Sequence, residues 1–493
     1  MKALVMGGGM AGLCAAADLG DFGVEVHLVE ATDILGGRAT SWVDADGDTV
    51  DNALHIFMPH YCNCLGFLAK VGAEPLHWTQ GITNYDELGR CGLLPIGGGA
   101  RTVLEAMRSP TMSLIDQASL GLAVLVSALM SKEKLDACDE ITLLEWFKRH
   151  GVTKNAIAHF RPGGAGLTFL ELNQVSAKAL LYWTSSFINR EYMLNPGIGF
   201  ANGGLGEIYV EPARRYIEAR GGRVETGRKV TELLVRGNEV EGAVTGDGET
   251  LKADFYISAM PYHELRRVLP DEALDYPYFL DLWRLQEAPS VSVQIWFDRF
   301  VTGMRNIAAQ MRGTFNCFAD MHTIVPKLAS RADGSMVEFV LTPAFHLRGL
   351  PADRVFKMTL EEFRRIMPAA REAEVRKWVV TRERQGIFAQ RPGADRFRPP
   401  QRTPYPNLYL CGDYTKTFIS AGMENACASA HLAVGHALYE HLGREVTLFS
   451  RPTAYNRYLR SGLAAGAALG GAALAAGLLR AGGRRGSQQG RNG

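Results

Sequence analysis

The chain opens with an apolar run, Ala3 to Met6, a glycine-rich loop and an Ala-rich amphipathic segment from Leu13 to Leu19. After a break at Gly23, the apolar run VEVHLVE ends at Glu30. Short apolar runs around a segment of helical period predict a buried parallel strand, a helix and a second buried strand. Two later stretches carry related patterns. In the first, Ile208 to Ala219 predicts a helix. Short strands follow, with turns at Arg236-Gly237-Asn238 and Gly246-Asp247-Gly248, up to the apolar strand in ADFYISAMP. In the second, Asn407 to Cys411 predicts a strand that ends at Gly412-Asp413, with a helix starting near Gly422. Bulky apolar segments lie between these pieces, LTFLELNQVSAKALLYWTSSFIN from Leu167 and SLIDQASLGLAVLVSALM from Ser113. Both predict helices.

The opening pattern has a chemical counterpart. Gly7, Gly9 and Gly12 stand in G-x-G-x-x-G spacing between the first strand and the helix, with an acid at Glu30 about 20 residues on. Gly7 permits the tight turn, Gly9 lets the backbone approach a pyrophosphate, and Gly12 lets helix and strand pack closely. The helix start at Met10 and Ala11 offers free N–H groups and a positive dipole end to the phosphates. Glu30 can accept both ribose hydroxyls, and its charge disfavours a 2′-phosphate. Strand, loop, helix, second strand and acid together predict a dinucleotide site.

Composition narrows the rest. At 493 residues the chain exceeds one compact core, so two or more domains are expected. A formal net charge of +1 gives no electrostatic footprint for nucleic acid. The eight cysteines show no framework spacing, which fits a reducing compartment, and no secretory leader is evident. VDNALHIFMPHYCNC gathers His55, His60, Cys62 and Cys64 within ten residues, but no second pair stands at zinc-site spacing, so no metal is predicted. No nucleophile constellation is found.

After Glu30 and Ala31 comes Gly36-Gly37-Arg38-Ala39. With the glycine loop this resembles the extended FAD fingerprint of the amine oxidase and carotenoid desaturase superfamily. LHIF at 54–57, VQIWFDRF at 293–300, CFADMHT at 317–323 and CGDYTKTF at 411–418 are together similar to the plant- and cyanobacteria-type phytoene and ζ-carotene desaturases. The resemblance implies an α/β fold: a discontinuous, GR2-type Rossmann-like FAD domain at 1–75, 205–265 and 395–445. An inserted α+β substrate domain takes 76–204 and 266–394, and 446–493 forms a C-terminal apolar helix and basic tail. It implies that FAD is held by Gly7, Gly9, Met10, Ala11, Gly12, Glu30, Ala31, Gly37, Arg38, Ala39, Val230, Gly412, Asp413 and Met423. The strand Val50 to Phe57 would pass the isoalloxazine with His55 beside the ring as a candidate base, and Pro59 to Cys64 would lead into the substrate domain.

The implied reaction is desaturation of a long apolar polyene by hydride transfer to flavin N5, with a membrane quinone as electron acceptor. A homo-oligomer is compatible with the sequence. Ala53 stands where the desaturases commonly carry Gly, and Asp51-Asn52 resembles hydroxysqualene dehydroxylases, so a squalene-length substrate is an alternative. A flavin amine oxidase is another, although no clear aromatic cage is evident: Tyr414 is one ring and Phe418 a candidate partner. A non-enzymatic FAD-binding carrier of polyene or quinone is the alternative of another class. Ser461 to Leu479 is uncharged, long enough to span a bilayer and flanked by arginines, so attachment to the cytoplasmic side of a membrane, peripheral or through this helix, is expected. The helix from Ser113 is a second, interfacial candidate.

Overall fold

A computed structural model describes residues 1–94, 108–186, 197–329, 333–419 and 421–451; the segment 461–479 lies outside them. Three separated pieces of chain build one five-stranded parallel sheet. Its order is Leu408–Leu410, Phe255–Ser258, Lys2–Met6, Glu25–Val29 and Arg223–Glu225. These strands read as near-continuous apolar runs because both faces are covered. Ala3 and Val5 pack with the helices Met10–Asp21 and Gly422–Leu442. Leu4 and Met6 pack against the opposite layer, where the antiparallel strands Val230–Arg236 and Glu239–Thr245 supply Val230, Leu233 and Val240.

The second sheet has seven strands and mixed direction: Val375–Phe388, Glu287–Phe297, Met336–Leu341, Cys317–Asp320, Ala308–Gln310, Ile82–Tyr85 and Cys91–Leu94. Alternation along the strands sends Val293, Phe318 and Phe339 to one face, where they meet Phe363 of the helix Ala352–Ile366. The other face turns toward the parallel sheet. The helices Lys154–Thr168 and Ala177–Ser186 close the space, with Leu114–Leu129 packed outside them.

The stretch from Val50 to Phe57 is not one strand. Only Thr49–Asp51 is extended and paired, to Ser41–Val43. Asn52 then bonds back to the Thr40 carbonyl, and Phe57 exchanges both backbone bonds with Gly199. The backbone between them has no sheet partner and bends around a cavity. Pro59 to Cys64 starts the path toward the second sheet, which the chain reaches at Ile82–Tyr85. The chain first enters the helix Cys62–Lys70, which packs on Gly422–Leu442. Tyr61 at its N-cap position offers no capping acceptor. Instead the buried Glu424 carboxylate accepts from the Asn63 and Cys64 backbone N–H groups at 3.1 and 2.8 Å, so one helix caps another across the parallel unit.

Candidate active site

A cavity of about 1040 Å³ runs between the two sheets. At one end it is bounded by the glycine loop, Glu30 and Val230; at the other by Leu167, Phe169, Leu180 and Trp183 of the helical wall. Ile307, Val340 and other residues of the mixed sheet form its floor.

The glycines show what the backbone demands at the first end. Gly7 has φ +110°, a conformation side chains rarely adopt. A Cβ at Gly12 would lie 1.9 Å from the Gly7 carbonyl oxygen, so loop and helix meet at a distance only hydrogen allows. At Gly9 a Cβ would meet only Gly37, at 3.9 Å, and the cavity is otherwise open there. The helix Met10–Asp21 has no side-chain cap and no acid in its first turn, leaving its first N–H groups free at the cavity. The helix Gly422–Leu442 also lacks a side-chain cap, and Gly422 and Met423 line the same cavity. Its first-turn acid, Glu424, is turned away toward Asn63 and Cys64.

Between these helix starts, the Arg38 guanidinium donates to Asp413 Oδ1 at 2.6 Å and to the Gly386 carbonyl at 2.5 Å. Asn425 donates to the Asp413 carbonyl at 2.7 Å. The first piece of the chain, the third piece and the strand Val375–Phe388 are thereby tied together beneath the cavity. Glu30 accepts from Gly8 N–H at 2.7 Å and from Thr32 N–H at 2.9 Å, which fixes its carboxylate at the strand end.

Every residue predicted from the sequence to hold the cofactor lines this cavity except Gly12, which lies beneath the loop. His55 lines it too. Its Nδ1 donates to the Ala53 carbonyl at 2.6 Å, and burial pushes the imidazole down to about 4, so the ring is neutral at physiological pH. The other members of its cluster diverge: Cys64 Sγ turns to Met10 Sδ at 3.8 Å, and His60 is fully buried. Tyr414 packs on Tyr262 and Phe418 on Tyr182 and Phe449, all away from the cavity, so the pair forms no cage.

Sequence reasoning missed Met260 and Pro261, which follow the strand Phe255–Ser258 and border the glycine end, and Glu383, Gly386 and Gln390 on and beyond the long outer strand. The first two were legible in principle, since residues just past the carboxyl end of a parallel strand face the ligand crevice. The others come from a different sheet, and no local spacing announces them.

A doubly covered parallel sheet, an acid-ended second strand and uncapped helix starts facing one deep cavity define a dinucleotide-dependent oxidoreductase. The sequence pattern of the family described as flavin containing amine oxidoreductase matches residues 10–438, and the chain belongs to that family. Its cofactor is FAD. The chain is 27% identical over 471 residues to a probable zeta-carotene desaturase of Synechococcus elongatus, covering 88% of this chain and 98% of that protein. It is 26% identical over 454 residues to a 15-cis-phytoene desaturase of the same organism, covering 88% and 94%. Among solved structures, an oxidoreductase from Methanosarcina mazei superposes with a TM-score of 0.68 at 20% identity, covering 88% of this chain and 99% of that one. This last likeness supports the fold.

Proposed function

We propose that the protein desaturates a long apolar polyene of the phytoene or ζ-carotene type, using FAD held by the segments 1–75, 205–265 and 395–445. The observation that carries the reading is the single cavity. Its glycine end matches what a dinucleotide needs, and it continues without a break into a chamber walled by Leu167, Phe169, Leu180 and Trp183. Desaturases among the relatives fit that combination.

The residues at the glycine end suit FAD. Gly9 leaves the loop open, Met10 and Ala11 present free N–H groups for the pyrophosphate, and Glu30 stands at the ribose position beside Ala31 and Val230. Gly37, Arg38, Ala39, Gly412 and Asp413 line the middle, and the uncapped helix start at Met423 would face the flavin, where its dipole favours negative charge. Bound there, FAD supplies a hydride acceptor. The chain's own task is to lay the substrate along the apolar wall and keep water out. His55, neutral and tied to Ala53, shapes the wall beside the ring.

An apolar substrate needs an apolar entrance. Leu114, Ile115 and Leu122 of the helix Leu114–Leu129 are 58, 74 and 59% exposed, while its inner side packs on Ala177–Ser186, which lines the chamber. That outer face would rest on a membrane, the source of the polyene and of a quinone to reoxidise the flavin. Among the described residues no single helix is long and apolar enough to cross a bilayer.

The test is incubation of FAD-loaded protein in liposomes with phytoene, ζ-carotene or hydroxysqualene, followed by product chromatography. A desaturated carotene is the expected product. Conversion of hydroxysqualene alone, or of no polyene, would overturn the reading.

A further inference from the structure

The floor of the chamber carries polar groups that a hydrocarbon substrate does not require. On the strand Glu287–Phe297, Val291, Val293 and Ile295 face the aromatic core, so Ser290, Ser292 and Gln294 face the other way. Ser290 and Ser292 line the cavity. Gln294 lies opposite Glu338 of the neighbouring strand. Gln294 Nε2 donates to the Asp51 backbone carbonyl at 3.0 Å, and the Ser292 hydroxyl stands 3.1 Å from two acceptors, Glu338 Oε1 and the Phe339 carbonyl. Glu338 is fully buried and Gln294 is 1% exposed. Gln294 thereby ties the backbone at Asp51 to the strand that carries Glu338, and the Glu338 carboxylate reaches the chamber through one hydroxyl.

Among the described residues, three oxygens in this group have no donor: Asp51 Oδ1, Gln294 Oε1 and Glu338 Oε2. Among the described residues, no lysine, arginine or histidine forms an ion pair with either carboxylate. Two buried carboxyl groups with no cation beside them are costly to charge together, and a proton held on one of them relieves that cost. Other ionisable groups close by do not supply that proton. Cys317, on the adjacent strand, is held as a thiol, pushed up to about 12 by burial and by Glu338. Glu383, across the sheet, faces Arg38, which is already paired with Asp413. His55 lies against the Ala53 carbonyl.

We propose that Asp51 and Glu338 share one proton and that Ser292 connects the pair to the chamber as the acceptor of the proton released in desaturation. Forming one double bond removes a hydride, which FAD bound in the cavity would accept, and a proton. As the second C–H bond breaks, its electron pair becomes the new π bond. The proton passes to Ser292 Oγ while the serine's own proton moves to Glu338 Oε1. The doubly protonated pair then returns one proton to solvent. Burial pushes Asp51 up to about 7, and burial together with Asp51 pushes Glu338 up to about 8, values at which a carboxylate both takes and returns a proton at neutral pH. Ser292 is the group at the substrate; Asp51 and Glu338 act through it.

This inference rests on the desaturase reading, and two measurements separate them. Infrared spectra of FAD-loaded protein, recorded from pH 5 to 9, should show a protonated carboxyl band that fades near pH 7 to 8 and is weakened in Glu338→Gln and in Asp51→Asn. Absence of the band, or its survival unchanged in both Glu338→Gln and Asp51→Asn, would overturn the shared proton. In anaerobic single turnovers with ζ-carotene, the wild-type rate of flavin reduction should rise with pH through the same range. Glu338→Gln should flatten the profile and Ser292→Ala should slow the step at least tenfold, with FAD content preserved in both. An unchanged pH profile in a working Glu338→Gln enzyme overturns the acceptor role alone. Failure of the wild type with every polyene overturns it together with the desaturase reading, while the infrared spectra still report on the proton.

Discussion

The two sheets face the same cavity but are specified in different ways. The parallel sheet is fixed by backbone: Gly7 at a positive φ, Gly12 touching the Gly7 carbonyl, and helix starts left bare for a ligand. The mixed sheet is fixed by side-chain alternation, with an aromatic layer behind and a file of buried polar groups in front. A ligand met by main-chain atoms constrains where side chains are missing. A ligand met by a sheet face constrains which residues alternate, and pairings between distant strands decide which of them meet.

Damage to the backbone-defined half should therefore be the most severe. Gly12→Val drives a side chain into the Gly7 carbonyl, and a loss of more than about 4 kcal/mol is expected. Purified Gly12→Val protein should lack flavin absorbance; normal flavin content would show that loop and helix can separate at little cost. Next comes Asp413→Asn, which leaves Arg38 without its anion. Removing one member of a fully buried pair costs about 3–5 kcal/mol. The Arg38 side chain keeps 35% exposure, so about 2 kcal/mol is expected, read from the urea midpoint and from weaker FAD retention.

The mixed sheet should respond to pH instead. Asp51 and Glu338 lie at about 7 and about 8, above the ordinary carboxylate value of about 4. Their raised values stabilise the fold fully below about pH 4, and that contribution is lost as pH rises through 7 and 8. Glu338→Gln should remove part of this loss, about 1 to 2 kcal/mol between pH 6 and 8, visible as a flatter plot of melting temperature against pH. An equal slope in wild type and variant would mean the pair does not titrate there. The smallest effect belongs to the surface. Ile115→Ser with Leu122→Ser should leave stability within about 0.5 kcal/mol and lower binding to lipid vesicles about tenfold. Unchanged vesicle binding would show that this face does not rest on a membrane.

This contrast also explains what could be read from the sequence. The glycine spacing, Glu30, the two later returns of strand and helix and the Gly412-Asp413 turn are all local patterns, and the structure places them around one cavity. Arg38 was legible as a residue but not in its tie to Asp413 and Gly386, separated by more than 300 positions. The acid pair was not legible, because Asp51, Gln294 and Glu338 become neighbours only through sheet register. His55 and the cysteines after it drew attention as a cluster. Folding separates them, since Phe57 binds Gly199 and the chain then turns into the helix Cys62–Lys70.

The most direct test of the central claim, one cavity holding FAD against a polyene, is an anaerobic titration of FAD-loaded protein with ζ-carotene, following flavin absorbance and product together. The account predicts one equivalent of flavin bleached for each double bond formed. Bleaching by an amine such as putrescine, with none by any polyene, would contradict it.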